Sequence, residues 1–126
     1  MSLIMNWMGN LIDPFNLQER DFENAGMQTA VTLSRVQRFW GQLRESYTVS
    51  QHCLSLVEYF DGDIEFQKIA ISHEIYEAMG LGDIPSPIKN LLPQVKEAEN
   101  NALKMFASLY DLDYSLFHSE KLKEAD

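Results

Sequence analysis

From Glu19 to about Leu43 the apolar residues Phe22, Met27, Val31, Leu33, Val36, Phe39, Trp40 and Leu43 recur at spacings of mostly three or four. That is the period of an amphipathic helix, and it predicts one over this stretch, bent at Gly26 and loosened at Gly41. A second helix is expected from a cap at Thr48 or Ser50 to Phe60, with Leu54, Leu56, Val57 and Phe60 on its apolar side. Asp61-Gly62-Asp63 reads as the break, and Asp63 as the cap of a longer helix to about Met79, with Phe66, Ile69, Ala70, Ile75 and Met79 facing the core. Gly80-Leu81-Gly82 stops it, and Pro85-Ser86-Pro87 is expected to hold the next stretch extended. Pro93 opens a helix to about Tyr110, and a last one runs from about Ser115 to the end. No period-two alternation is sustained, and no Asn-Gly or Asp-Gly turn separates two such runs. The expectation is an all-α single domain over residues 1–126, a bundle of five or six antiparallel helices with short loops.

Composition narrows the partners. A chain of 126 residues, 45% hydrophobic, carries enough apolar side chain for one core and has no repeat or low-complexity segment. Its formal net charge of -9 argues against a nucleic-acid polymer, which needs a basic face to neutralise phosphate. A small anionic substrate stays open, since a metal and a few arginines reverse the field locally. The lone Cys53 has no intrachain disulfide partner and suits a reducing compartment; it lies beside His52, so a ligand role stands next to that of a buried thiol. The apolar start, Met1 to Phe15, has no basic region or cleavage site and is interrupted by Asp13-Pro14, so neither a signal peptide nor a membrane span is expected. A cytoplasmic protein is the resulting expectation.

The chemistry concentrates at His73-Glu74, with Glu77 one turn on. On one regular helix His73 and Glu77 share a face, and Glu74 lies about 100° round from His73. A solvated polar face that happens to include a histidine would look the same. Against that reading, Ile69-Ala70-Ile71-Ser72 leads the pair towards the interior, where ionisable groups need partners. His52 on the preceding helix and Asp126 on the last are within reach of the same place in a bundle.

Four motifs in order resemble the HD-domain metal-dependent phosphohydrolases, in particular the branch of the bacterial 5′-deoxynucleotidases. They are Tyr47-Thr48-Val49-Ser50-Gln51-His52-Cys53; His73-Glu74-Ile75-Tyr76-Glu77-Ala78; Gly82-Asp83-Ile84-Pro85-Ser86-Pro87-Ile88-Lys89; and Leu122-Lys123-Glu124-Ala125-Asp126. The resemblance spans about Asp13 to the end. It implies one divalent transition metal (Mn, Co, Zn or Fe) held by His52, His73, Glu74 in the family's Asp place, and Asp126. In this chemistry the metal acidifies a water and draws in a phosphate oxygen. Glu77 matches the acid/base carboxylate and Asp83 the residue facing the sugar hydroxyl. Arg38 matches an arginine near the phosphate, unless it is an exposed helix residue; Lys89 is a surface lysine or a substrate contact. The implied partner is a small phosphorylated substrate such as a nucleoside 5′-monophosphate, and the family often forms homodimers through its helices.

Three departures keep a second reading open. Glu74 replaces Asp, Gln42 stands where relatives have Gly-His after the arginine, and one residue is inserted within Met79-Gly80-Leu81-Gly82. Asp126 is also the last residue, which suggests a C-terminally shortened form with a loosely held ligand. The alternative is therefore a weakened or inactive HD-fold binding or regulatory module.

Overall fold

The chain is all-α, as its pattern predicts, but its helices are shorter than the hydrophobic runs. The computed structural model describes residues 3–79 and 81–126. Among them a two-residue ribbon, β1 (Ile4–Met5) and β2 (Leu11–Ile12), precedes six α-helices: α1 (Gly26–Leu33), α2 (Val49–Tyr59), α3 (Ile64–Ser72), α4 (Ser86–Lys89), α5 (Pro93–Leu109) and α6 (Glu120–Ala125). Tight 3-10 turns lie at Glu19–Phe22, Arg38–Gly41, Ile75–Met79 and Tyr114–His118. The antiparallel ribbon, Ile4 opposite Ile12 and Met5 opposite Leu11, was not signalled by the sequence. Two residues per strand are too few to show a period.

Where end signals are local, they act as read. The Gln51 amide donates to the Thr48 hydroxyl at 3.2 Å while the Thr48 amide donates to the Gln51 side chain at 2.7 Å. This reciprocal box, not Ser50, starts α2. The Phe66 amide donates to Asp63 at 3.2 Å and starts α3. Pro93 is the first residue of α5, where its missing N–H costs nothing.

The long helix expected over 19–43 is three pieces. Asn24 takes a left-handed conformation (φ 55°), and Gly26 opens α1 instead of bending it. After Leu33 the backbone is claimed from elsewhere: the Val49 amide donates to Val36 O and the Arg38 amide to Tyr47 O, both at 2.9 Å, with Gln37 bridged to Thr48. Backbone groups committed to another segment cannot continue a helix ladder. Phe39 and Trp40 follow with φ 53° and 54°, a region rare for bulky residues. The helix expected to reach Met79 stops at Ser72, whose hydroxyl bonds back to Lys68 O at 2.6 Å. The stretch expected to be extended is so only to Pro85; with Pro87 in its first turn, Ser86–Lys89 is helical. The last helix is split at Ser119, which caps α6 through the Leu122 amide.

The core sits where α2, α3, α5 and the Ile75–Met79 turn meet, with Phe22, Ile69 and Met79 fully out of solvent. Polar groups carried into it find partners. Tyr76 donates to Pro14 O at 2.8 Å and Tyr110 to Phe22 O at 3.0 Å, tying the N-terminal segment to the bundle. Buried Gln28 accepts from the Met8 amide and donates to Ala78 O, both at 3.2 Å, linking the ribbon loop, α1 and the 75–79 turn. No described helix is long and apolar enough to cross a membrane.

Candidate metal centre

The end of α3 decides the site. His73 is its C-cap (φ −64°, ψ −20°), and its Nδ1 lies 2.6 Å from Ala70 O, so Nδ1–H donates and Nε2 is turned inward. The chain then tightens: the Glu77 amide donates to Glu74 O at 3.1 Å, and every residue of the Ile75–Met79 turn is buried. In a 3-10 turn residues three apart eclipse. This brings a carboxylate oxygen of Glu74 within 4.8 Å of one of Glu77, and replaces the regular helical face expected to be shared by His73 and Glu77.

Three other segments complete the cluster. Buried His52, early on α2, places Nε2 2.5 Å from Asp126 Oδ1. Asp126 follows α6 directly, and the same oxygen lies 3.6 Å from His73 Nε2. Glu74 Oε1 is 3.1 Å from His73 Nε2, and the two imidazoles meet edge to face at 5.5 Å between centroids. One donor atom from each of His52, His73, Glu74 and Asp126 lies within 4.8 Å of all the others.

Charge and geometry explain what such a cluster wants. With Nδ1–H committed to Ala70, a neutral His73 would point its Nε2 lone pair at two carboxylates. Something positive belongs between them, either a proton or a metal. Burial depresses the His73 pKa, but Asp126 and Glu74 more than reverse this and carry it from 6.5 to about 10. Burial raises Glu74, yet His73 outweighs that and holds it down to about 2. Hydrogen bonds from His52 and His73 keep Asp126 well below the usual carboxylate range. His73 Nε2 itself is buried without a well-aligned hydrogen-bond partner. An imidazole fixed through Nδ1 on a carbonyl, with Nε2 facing carboxylates, is the usual setting of a metal-ligating histidine. Two nitrogen and two oxygen donors suit Mn, Co, Zn or Fe. The residues present therefore fit a divalent cation.

Two of the remaining candidates, Glu77 and Asp83, adjoin this cluster through Glu74. Glu74, Glu77 and Asp83 form a second group whose donor atoms also lie within 4.8 Å of one another. Glu77 is only 3% exposed; burial, reinforced by the charge of Glu74, pushes its pKa well up. Asp83 Oδ2 accepts the Phe39 amide at 3.2 Å, and the Arg38 guanidinium lies over the Phe39 ring, 5.1 Å from its centroid. The strained Phe39 peptide thus joins the arginine to the aspartate loop. Arg38 makes no ion pair among the described residues, and its charge reaches Cys53, as do those of Glu74, Glu77 and Asp126.

Cys53 itself is a buried thiol packed with Leu33, Val49 and Ala78, pushed up to about 12 mainly by burial. It is outside both donor groups. His118 bonds the Tyr114 hydroxyl at 2.9 Å on the surface. Lys89 is not the surface lysine its sequence suggests: it lies 2.8 Å from Glu99 and 3.6 Å from Glu77 Oε1. Glu99 escaped sequence reading altogether, because nothing marks one glutamate among the polar positions of α5. The inserted residue expected within Met79–Gly82 falls on a stretch whose Gly80 lies outside the described residues.

Comparison with known proteins gives one informative relative. YfdR of Escherichia coli strain K12, itself uncharacterized, is 35% identical over 83 residues, which cover 66% of this chain and 45% of YfdR. The chain thus spans less than half the length of that relative. No family model and no solved structure matches.

Proposed function

We propose that this protein is a metal-dependent phosphohydrolase of the HD-domain kind, acting on a small phosphomonoester such as a nucleoside 5′-monophosphate. The observation that carries the proposal is the His52, His73, Glu74 and Asp126 cluster, with His73 anchored through Nδ1 and its Nε2 facing two carboxylates without a well-aligned hydrogen bond. A divalent cation held there supplies Lewis acidity toward a phosphate oxygen and acidifies a neighbouring water. The chain's own groups do the rest. Arg38, its backbone fixed by Tyr47 O, offers a planar fork to the remaining phosphate oxygens. Glu77 takes the proton from the attacking water and returns it to the leaving oxygen, its raised pKa placing it between base and acid. Asp83, held by the Phe39 amide, keeps Oδ1 for a sugar hydroxyl. The net charge of -9 disfavours nucleic-acid polymers as substrates.

The test is phosphate release from a panel of nucleoside monophosphates by metal-loaded protein. Release should be abolished by chelator, by His73→Ala and by Glu77→Ala. Metal-loaded protein that releases nothing from the whole panel refutes the proposal.

One observation favours a second reading, a cation-holding module without turnover. Glu74 stands in the family's Asp place and its carboxyl reaches both His73 and Glu77, so the geometry around a water would be displaced. Under that reading Glu74→Asp restores phosphate release; if it leaves an inactive protein inactive, the argument from Glu74 fails.

A further inference from the structure

We propose that Glu74, Glu77 and Asp83 form a second cation site, all oxygen in its donors, which takes Mg²⁺ or Mn²⁺ and shares Glu74 with the first. The proposal rests on the metal reading of the first site but not on phosphate release.

Three observations point to it. The three carboxylates place donor atoms within 4.8 Å of each other, a spacing that suits common ligation better than three independent anions. Glu77, 3% exposed, keeps Oε2 buried without any hydrogen-bond partner, although its carboxyl has an oxygen within 4.8 Å of one of Glu74. A buried carboxylate oxygen left bare is costly, and native structures normally give it a partner.

The third observation is charge. A cation at the first site is matched by Glu74 and Asp126. Beside it stand Glu77, Asp83 and Glu99; Lys89 is the cation in contact with Glu77 and Glu99, and among the described residues Asp83 makes no ion pair. With Glu77 ionised by a bound cation, one positive charge against these three carboxylates leaves two negative charges, the amount one divalent ion cancels. Lys89 does not fill the place itself, because its short bond goes to Glu99 at 2.8 Å and it approaches Glu77 only on the Oε1 side, at 3.6 Å.

This also gives Glu74 a purpose. The 3-10 turn stacks residue 74 over residue 77, and a glutamate reaches about 1.5 Å further than an aspartate, one more C–C bond. A side chain of that length presents one carboxylate to both groups; aspartate in its place would serve His73 and fall short of Glu77. Hard oxygen donors select Mg²⁺ or Mn²⁺ here, while the mixed nitrogen and oxygen set selects a transition metal. In the doubly loaded protein Glu77 and Asp83 are ligands; Glu77 is a proton acceptor, and Asp83 Oδ1 is open to a sugar hydroxyl, only when the first site alone is filled.

Manganese titration of chelator-treated full-length protein tests this, read by calorimetric stoichiometry and by electron paramagnetic resonance. The expected result is two Mn²⁺ per chain with an exchange-coupled spectrum from the bridged pair. Asp83→Asn, Glu77→Gln and Glu74→Asp should each bind one, with an uncoupled six-line spectrum, at an unchanged melting temperature for the half-buried Asp83→Asn. A wild-type stoichiometry of one overturns the second site and leaves the first standing. A stoichiometry of none overturns both. Two equivalents that persist in Asp83→Asn and Glu77→Gln also overturn the assignment, since the second ion would then lie elsewhere.

Discussion

Metal-free protein should lose stability steadily as pH rises from 6 to 9, and His73 should be the cause. Its pKa is raised from 6.5 to about 10 by Asp126 and Glu74, against a burial effect in the opposite direction. For a group raised on folding, the stabilisation is fully present below the unfolded value of 6.5 and disappears as pH climbs through about 10. At ~1.4 kcal/mol per pH unit the whole shift is worth at most about 5 kcal/mol. Linkage then leaves about 4.5 kcal/mol of it at pH 6 and about 1.5 at pH 9, a loss of about 3 kcal/mol. That is a large part of the ~5–15 kcal/mol by which a domain is stable. Glu74 and Asp126, both lowered, report the same ion pairs from the other side. Their contribution is present above the ordinary carboxylate range and lost as pH falls below it, so it must not be added again.

Urea unfolding of chelator-treated protein at intervals from pH 6 to pH 9 measures this. Glu77, raised by burial, also lowers stability with rising pH, but from the carboxylate range upward. The His73→Gln variant separates the two, since it removes the imidazole contribution, leaves that of Glu77, and should make the profile above pH 6.5 shallower. Adding Mn²⁺ should reverse the slope in the wild type, because a metal at Nε2 replaces the proton and binds better as protons become scarce. A flat wild-type profile, or a slope above pH 6.5 no shallower in His73→Gln than in the wild type, would show that the carboxylates do not hold a charged imidazole and would remove the electrostatic case for a cation there.

Other substitutions probe the frame around the site. Tyr76→Phe strips the bond to Pro14 O from a side chain 2% exposed and should cost about 1–2 kcal/mol in urea unfolding; no loss would mean the N-terminal segment is not pinned there. Ile69→Ala empties a fully buried position on α3 and should cost about 2–5 kcal/mol, whereas a loss under about 1 would show a collapsible core. Lys89→Met leaves Glu99 and Glu77 without their cation and should cost about 3 kcal/mol, much of it recovered in the double variant with Glu99→Gln. Additive losses in that cycle would mean the pair is not coupled.

What could be read in the sequence divides along a physical line. Thr48, Asp63 and Pro93 act within one turn of themselves, so the starts of α2, α3 and α5 were legible. The ends were not. α1 stops because residues 36–38 bond to residues 47–49, and no pattern inside 19–43 records that competition. Lys89 looked like a surface residue because its partner Glu99 is set by how α4 lies against α5. The gathering of His52 with Asp126, 74 residues apart, was likewise beyond periodicity. It was anticipated from the order of helices in a bundle and from the order of motifs, neither of which fixes a distance.

The most consequential misreading concerns a single turn. His73 and Glu77, four apart, fit an α-helical face, and that reading gives Glu74 to the metal and no contact to Glu77. The chain tightens after Ser72 because burying all of Ile75–Met79 against the core cannot be done by one face of a regular helix. A 3-10 turn costs poorer hydrogen bonds but changes which residues stack, and the i,i+3 pair Glu74 and Glu77 replaces the i,i+4 pair. So a packing demand of the core creates the contact between two carboxylates. That contact needs a proton or a cation, and His73, turned away by its bond to Ala70, is left to serve Asp126 and the near oxygen of Glu74. Under the proposed function, a glutamate in the place of the HD-domain aspartate therefore cannot be judged as a longer ligand in an otherwise fixed site. Its extra bond length matters on the Glu77 side, and that is the side on which its consequence for metal content and turnover should be measured.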